Sequence, residues 1–234
     1  MSAIPRRERL IAALDVPTAA AARALAERLG DAVRFYKIGL ELFTAGGCFE
    51  LAAWLGERGC RVFADLKLYD IPETVRRAVA NLRASGATFL TVHGDRAIME
   101  AAARAKGELK ILAVTVLTSL DARDLAEMGY RGEVRDLVVS RARHALEAGC
   151  DGVIASGLEA PAIKRAFGER LLVVTPGIRA AGGEAADQKR TVDAAQAFAN
   201  GADYIVVGRP IRDAADPRAA ALQIQQTIEG AFPA

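Results

Sequence analysis

The sequence predicts an α/β fold, a single (β/α)8 TIM barrel, and three observations support this prediction. Short β-rich runs alternate regularly with longer Ala-rich segments whose apolar residues recur at helical spacing. Glycine repeatedly ends a helical segment just before the next strand, in SGA at Ser85, AGCDG at Ala148 and NGADY at Asn200. About eight such units fit a barrel of the usual ~250 residues, and an open doubly wound sheet is the alternative.

Eight strand-like runs define the units in chain order. They are RLIAALD at 9–15, RFYKIGL at 34–40, RVFADLK at 61–67, TFLTVHG at 88–94, KILAVTVLTS at 110–119, DGVIASG at 151–157, LLVVTPGI at 171–178 and DYIVVGRP at 203–210. The first intervening helix is expected at 18–30, with Thr18 as N-cap and Gly30 as C-terminal stop. Pro72 is expected at the first position of the helix after the third strand. No linker or composition shift interrupts the chain, so residues 1–234 are expected to form one domain.

Composition and charge limit the possible partners and location. The chain has 31 Lys and Arg against 29 Asp and Glu, and the two signs are interleaved. We therefore expect no nucleic-acid partner and no membrane partner, but a small-molecule ligand. The N-terminal stretch resembles neither a secretory signal nor a membrane span. Cys48, Cys60 and Cys150 are far apart without a C-x-x-C pair, so we expect no disulfide framework, no zinc site and a reducing, cytoplasmic location.

Polar residues concentrate where the predicted strands end. Active sites of such barrels lie at the C-terminal ends of the strands, so this rim is the predicted site. The residues that fall there are Asp15, Lys37, Asp65, Lys67, His93, Thr118, Ser156, Thr175 and Arg209.

The stretch FADLKLYDIPETV carries the densest charge. Asp65 and Lys67 are two apart on a strand and share a face, whereas Asp70 lies past the strand end. A Lys flanked by carboxylates is held as ammonium, which makes Lys67 a proton donor and electrostatic stabiliser. The alternative is a solvated ion pair, which contributes only ~0–1 kcal/mol.

Two later segments have features of a phosphate site. TPGIR ends the seventh predicted strand and VVGRP the eighth, and glycine and arginine at these positions supply N–H groups to an anion. The polar segment 179–190 is predicted to be a lid with Gln188 as a ligand contact, or a flexible surface loop. For His93 we favour a supporting or interface role.

These motifs together resemble one known family. ALDVP, YKIGLELF, FADLKLYDIPETV, TVHG, VTVLTS, VVTPGIR, the Gln188 segment and YIVVGRPI resemble orotidine 5'-phosphate decarboxylase of the bacterial type. The resemblance implies a homodimeric (β/α)8 barrel, with no metal and no organic cofactor. The implied reaction converts orotidine 5'-monophosphate (OMP) to uridine 5'-monophosphate (UMP) and carbon dioxide in pyrimidine biosynthesis.

The resemblance also implies roles for individual residues. Lys67 would protonate C6, Asp65 would face the substrate carboxylate, and Asp70 would reach the partner's site. The remaining substrate contacts implied are Asp15 and Lys37 on the ribose, Thr118 or Ser119 on the pyrimidine, Gln188 between base and phosphate, Arg179, Gly208 and Arg209 on the phosphate, and Thr74.

Two alternatives remain open from the sequence. One is a magnesium-dependent phosphosugar decarboxylase or aldolase with the same Asp-x-Lys-x-x-Asp core, although the Ile71-Pro72-x-Thr74 continuation favours the nucleotide enzyme. The other is a non-catalytic phospholigand-binding barrel. A Lys placed between two acids is poorly suited to holding an anionic ligand, which favours an enzyme over this alternative.

Overall fold

Eight parallel strands close into a barrel, with each strand beside the next in chain order and β8 beside β1. The computed structural model describes residues 4–179 and 189–232. The strands are β1 Leu10–Ala13, β2 Phe35–Gly39, β3 Arg61–Leu68, β4 Phe89–His93, β5 Lys110–Val114, β6 Gly152–Ile154, β7 Leu172–Thr175 and β8 Tyr204–Val207. Leu10 pairs with Ile205 where β8 meets β1, which closes the sheet. The predicted barrel is confirmed, and the open sheet is excluded.

Helices cover the outside of the barrel between successive strands. They are α1 Ala19–Leu29, α2 Leu40–Thr44, α3 Cys48–Glu57, α4 Pro72–Arg83, α5 Arg96–Ala105, α6 Ala122–Glu127, α7 Val134–Glu147, α8 Ala160–Phe167, α9 Ala194–Ala199, α10 Arg209–Arg212 and α11 Pro217–Ala231. The side chain of Thr18 accepts a hydrogen bond from the Ala21 amide and caps α1. Gly30 follows α1 with a φ of +54°, a conformation that costs glycine least. Pro72 begins α4, so these three local predictions are confirmed.

Several predicted strands run too far at their C-terminal ends. The run predicted at 110–119 forms a strand only as far as Val114, and the run at 151–157 only as far as Ile154. Thr115 directly follows β5, and both its amide and its hydroxyl donate to the carbonyl of Ile154 at the end of β6. The predicted runs therefore include residues of the connections that follow the strands. Two of these residues, Val116 and Leu117, line a cavity.

The barrel interior is filled by side chains that the strands direct inward, several of them aromatic. Phe89 is the centre of this layer, with its ring 5.0 Å from Phe35, 5.9 Å from Phe63 and 5.1 Å from Tyr204, measured between centroids. Two further clusters of buried apolar residues lie between strands and helices. A packed interior of this kind leaves the C-terminal mouth of the barrel as the place for a ligand.

The cysteines and the helices of the described residues have two general properties. The three cysteines are free thiols. Across residues 4–179 and 189–232, we find no helix whose length and hydrophobicity would let it cross a membrane.

Candidate active site

A cavity of about 500 Å³ opens at the C-terminal ends of the strands. Most of the predicted site residues line it, namely Asp15, Lys37, Asp65, Lys67, Thr118, Ser119, Arg179, Gly208 and Arg209. Charged groups from β2 and β3 therefore share one space with glycine and arginine from the connections after β7 and β8. This cavity links the two regions that the sequence predicted separately.

Three further predicted residues, Asp70, Thr74 and His93, do not line the cavity of their own chain. Asp70 and Thr74 are exposed and are not among the residues that line the cavity. Gln188 lies outside the described residues. His93 is half-buried beside Tyr69, with 5.1 Å between ring centroids, and does not line the cavity either. Burial and the charge of Arg141 lower the pKa of His93.

The charged side chains form an alternating network in the order Asp15, Lys37, Asp65, Lys67. The Lys37 Nζ lies 2.7 Å from Asp15 Oδ1 and 3.6 Å from Asp65 Oδ2. The Lys67 Nζ lies 2.8 Å from Asp65 Oδ1. The side chain of Asp65 is only 12% exposed and that of Lys67 is 31% exposed. Lys67 is therefore the more exposed member of the Asp65–Lys67 pair.

Asp65 remains ionised despite its burial. Burial alone would raise the pKa of this carboxyl, but the charges of Lys37 and Lys67 lower it. Hydrogen bonds from Lys67 and Thr91 lower it further, and the net pKa lies below the usual value for Asp. The site therefore presents a fixed carboxylate that is paired with the side chain of Lys67.

Asp65 is the member of this network that lies between two opposite charges of its own chain. Within the described part of the chain, the ion pair of Lys67 is with Asp65, and Asp65 lies between Lys37 and Lys67. Asp70 lies past the end of β3, as predicted from the sequence. Its carboxylate accepts a hydrogen bond from the Ile71 amide, 2.6 Å away, at the start of α4.

The backbone at Lys67 departs from a regular strand. Ala64 pairs with Leu90 and Leu68 pairs with Val92, so three residues of β3 lie opposite one residue of β4. Lys67 has a φ of +48°, in the left-handed region that residues other than glycine rarely adopt. Asp65 and Lys67 both line the cavity as predicted, but an irregular strand places them there rather than simple alternation.

Gly39 leaves the space that Lys37 and Asp15 occupy. A Cβ atom at this position would lie 2.7 Å from the Lys37 Nζ and 3.0 Å from Asp15 Oδ1. Because the φ of Gly39 is −95°, other residues could adopt this backbone conformation, and only the lack of a side chain is required. Sequence reasoning missed this residue, although a glycine two positions after a buried lysine on a strand is a signal for close approach.

Arg212 is a second residue that sequence reasoning missed. It lines the cavity from α10, and its Nη1 donates to the carbonyl of Asp15 at 2.9 Å. The rest of its guanidinium forms a bidentate pair with Asp213. Arg212 therefore connects α10, which follows β8, to the residues that follow β1.

A buried arginine anchors the chain beside Thr118. The Arg190 Nη1 lies 2.7 Å from Glu159 Oε1, and both side chains are less than a tenth exposed. Other guanidinium nitrogens donate to the carbonyls of Val116, Leu117 and Leu120. The amides of Lys189 and Arg190 donate to the Thr118 carbonyl. No short-range pattern in the sequence points to this role, because the partners are far away in the chain.

Residues 4–179 and 189–232 contain no group of three or more His, Cys, Asp or Glu side chains arranged to hold a metal ion.

The fold and the cavity define a class of protein, a (β/α)8 barrel with a charged site at the C-terminal ends of its strands. Comparison with known proteins narrows this class to one family. A family model described as orotidine 5'-phosphate decarboxylase / HUMPS family matches residues 8–224. The chain belongs to this family, and the resemblance inferred from the motifs is confirmed.

Relatives and solved structures agree with this assignment. Orotidine 5'-phosphate decarboxylase of Methylococcus capsulatus is 59% identical, over 99% of this chain and 96% of that protein. The protein of that name from Rhodopseudomonas palustris strain BisA53 is 53% identical, over 97% of each chain. The crystal structure of orotidine 5'-phosphate decarboxylase from Lactobacillus acidophilus superposes with a TM-score of 0.82 at 35% identity, covering 94% of this chain and 99% of that one.

Proposed function

We propose that Lys67 is the proton donor when this chain performs the reaction of its family, the decarboxylation of OMP to UMP and carbon dioxide. The observation that carries the proposal is the Lys67–Asp65 pair, 2.8 Å apart and facing the cavity. Relatives at more than half identity are named for this reaction over nearly the whole chain.

The chemistry requires a cation at one fixed position. Loss of carbon dioxide leaves an electron pair on C6 in the plane of the pyrimidine ring, where the π system cannot delocalise it. An ammonium placed beside C6 stabilises this charge as it develops and then transfers a proton to C6. The carbon–carbon bond breaks, the C6–H bond forms, and Lys67 is left as a neutral amine that regains its proton from water.

Asp65 has two roles in this proposal. It holds Lys67 in place through the 2.8 Å contact, and it lies where the carboxylate of the substrate would approach the ammonium. Repulsion between the two carboxylates raises the energy of bound OMP, and this repulsion disappears as carbon dioxide leaves. The lowered pKa of Asp65 favours its ionised form as OMP binds.

Binding of the rest of the nucleotide must supply further stabilisation. Enzymes lower barriers by ~8–23 kcal/mol, whereas removal of one stabilising donor costs ~3–4 kcal/mol, so Lys67 alone does not account for catalysis. We assign the phosphate to Arg179, Gly208 and Arg209, on the side of the cavity formed after β7 and β8. Binding energy from this remote group can force the substrate carboxylate against Asp65.

The ribose and the base are assigned to other groups of the same cavity. Asp15 and Lys37, joined at 2.7 Å, would bind the ribose hydroxyls. Thr118 is nearly buried and Ser119 is exposed, and both line the cavity on the side proposed for the pyrimidine. The contact predicted for Gln188 remains a prediction from the sequence.

A second copy of the chain is part of the proposal. Asp70 and Thr74 are exposed and point to no group of their own cavity, so we assign both to the site of a partner subunit in a homodimer. Tyr69 and Ile71, on either side of Asp70, are 65% and 67% exposed. Large apolar side chains at such exposure are typical of a surface covered by another protein.

Mixing two inactive variants tests the shared site. Asp70→Ala and Lys67→Ala protomers, each inactive alone, should regain part of the activity when subunits exchange, because a hybrid dimer contains one intact site. Exchange is followed separately with a size tag on one variant. Demonstrated exchange without recovered activity would remove Asp70 from the partner's site.

The reaction itself is tested by turnover in the presence of a chelator. Purified protein with OMP and EDTA should lose OMP absorbance and produce UMP and carbon dioxide in equal amounts. No turnover of OMP, together with magnesium-dependent turnover of a phosphosugar, would support the phosphosugar alternative. Binding of OMP without turnover would support a phospholigand-binding protein.

A further inference from the structure

We propose that Thr91 is a positioning residue that fixes both Asp65 and Lys67, an inference that rests on Lys67 being the proton donor. Thr91 is fully buried in the middle of β4, on the strand beside the one that carries the catalytic pair. Its side chain does not line the cavity, so it acts through its neighbours and not on the substrate.

The hydroxyl of Thr91 joins the two residues directly. Thr91 Oγ1 donates to Asp65 Oδ1 at 2.9 Å and accepts from the backbone amide of Lys67 at 2.9 Å. The direction of both bonds follows from chemistry, because an amide can only donate and an ionised carboxylate can only accept. One hydroxyl therefore satisfies both partners without competition.

The same oxygen of Asp65 receives the ammonium of Lys67. Asp65 Oδ1 lies 2.8 Å from the Lys67 Nζ and 2.9 Å from Thr91 Oγ1. This oxygen therefore contacts both the proton donor and the hydroxyl of Thr91 on β4. Without the hydroxyl, only the ion pairs with Lys37 and Lys67 would hold Asp65, so the carboxylate could rotate and shift the ammonium of Lys67 with it.

The irregular backbone of β3 explains why a side chain is needed here. Residues 65–67 lie opposite Thr91 alone, between the pairs Ala64–Leu90 and Leu68–Val92. A regular strand pairs each such amide with a carbonyl, but the amide of Lys67 bonds to the Thr91 hydroxyl. The hydroxyl thereby supports the left-handed conformation of Lys67, with its φ of +48°.

Substitution of Thr91 by valine or serine separates the effect of the hydroxyl from that of the rest of the side chain. Thr91→Val keeps the branched shape but loses both hydrogen bonds, and Thr91→Ser keeps the hydroxyl. Because one bond to an ionised group and one to a backbone amide are lost, we expect kcat to fall about 10- to 100-fold in Thr91→Val. In Thr91→Ser, kcat should stay within a few-fold of wild type. UMP affinity should change little in either variant, because Thr91 lies outside the cavity.

Thr115 provides a matched control. Its hydroxyl is also buried and donates one hydrogen bond, to the Ile154 carbonyl at 2.8 Å, but it contacts neither Asp65 nor Lys67. Thr115→Val should lower the melting temperature and leave kcat unchanged. If Thr91→Val does not fold, Thr91→Ala replaces it with the same expectation for kcat.

The kinetic and thermal measurements together distinguish a positioning role from a purely structural one. If the Thr91→Val variant melts at a lower temperature but keeps the wild-type kcat, the role of Thr91 is purely structural and the inference is overturned. Equal losses of kcat in Thr91→Val and Thr91→Ser would also overturn it, because the hydroxyl would then not matter. Failure of the proton-donor assignment looks different, since a folded Lys67→Met variant would then retain turnover.

Discussion

Substituting Gly39 by alanine should disturb the charge network without unfolding the barrel. The new Cβ would lie 2.7 Å from the Lys37 Nζ, roughly 1 Å short of ordinary contact distances. The end of a flexible lysine can move away, so the cost to the fold is small. That movement breaks the 2.7 Å bond to Asp15 and weakens the contact with Asp65.

The size of the effect follows from these contacts. A hydrogen bond between charged groups contributes ~1.5–3 kcal/mol, and 1.4 kcal/mol corresponds to a factor of ten in rate, so kcat/KM should fall ~10- to 100-fold. Steady-state kinetics on OMP and thermal unfolding of the same preparation measure the two quantities separately.

Gly56 supplies the control for the alanine itself. It lies within α3, and a Cβ there meets no atom within 4 Å. Gly56→Ala should therefore keep wild-type kinetics and gain ~0.5–1 kcal/mol of stability from the better helix former. Wild-type kcat/KM in a folded Gly39→Ala variant would refute the claim that Gly39 is required for the position of Lys37.

Two further variants test the phosphate site and the buried ion pair. Arg209→Ala should weaken binding of UMP much more than binding of uridine, because only the nucleotide carries the phosphate that Arg209 is proposed to hold. Isothermal titration measures both affinities, and equal losses would contradict the assignment. Arg190→Met should destabilise the fold by ~3–5 kcal/mol, since it leaves Glu159 charged and unpaired in the interior. The double variant Arg190→Met/Glu159→Met should recover a large part of the lost free energy of unfolding, as measured by urea unfolding. A double variant as unstable as the single one would argue against the ion pair as the cause.

The sequence predicted the features that depend on local pattern. The barrel followed from the alternation of eight runs, and the cluster of Asp15, Lys37, Asp65 and Lys67 followed from charges at strand ends, since parallel strands bring those ends to one rim. Strand ends were less accurate. An apolar residue such as Val116 can extend a strand or line a cavity, and hydrophobicity does not distinguish the two.

Roles set by distant neighbours could not be predicted. Thr91 matters because of Asp65, which is 26 residues away, and Arg190 pairs with Glu159 across the connections of different strands. The left-handed conformation of Lys67 also depends on the register between β3 and β4 and not on the residue type. The position of Asp65 between two lysines also depends on the neighbouring strand β2, which carries Lys37.

Turnover of OMP by the Lys67→Met variant tests the proton-donor assignment most directly. Lys106→Met is the matched control, because Lys106 forms a 2.8 Å ion pair with Asp151 away from the cavity. We predict that Lys67→Met folds, binds UMP and loses at least ~10³-fold in kcat, since both charge stabilisation and proton transfer are removed, whereas Lys106→Met keeps its kcat. A folded Lys67→Met variant with kcat within tenfold of wild type would contradict the assignment.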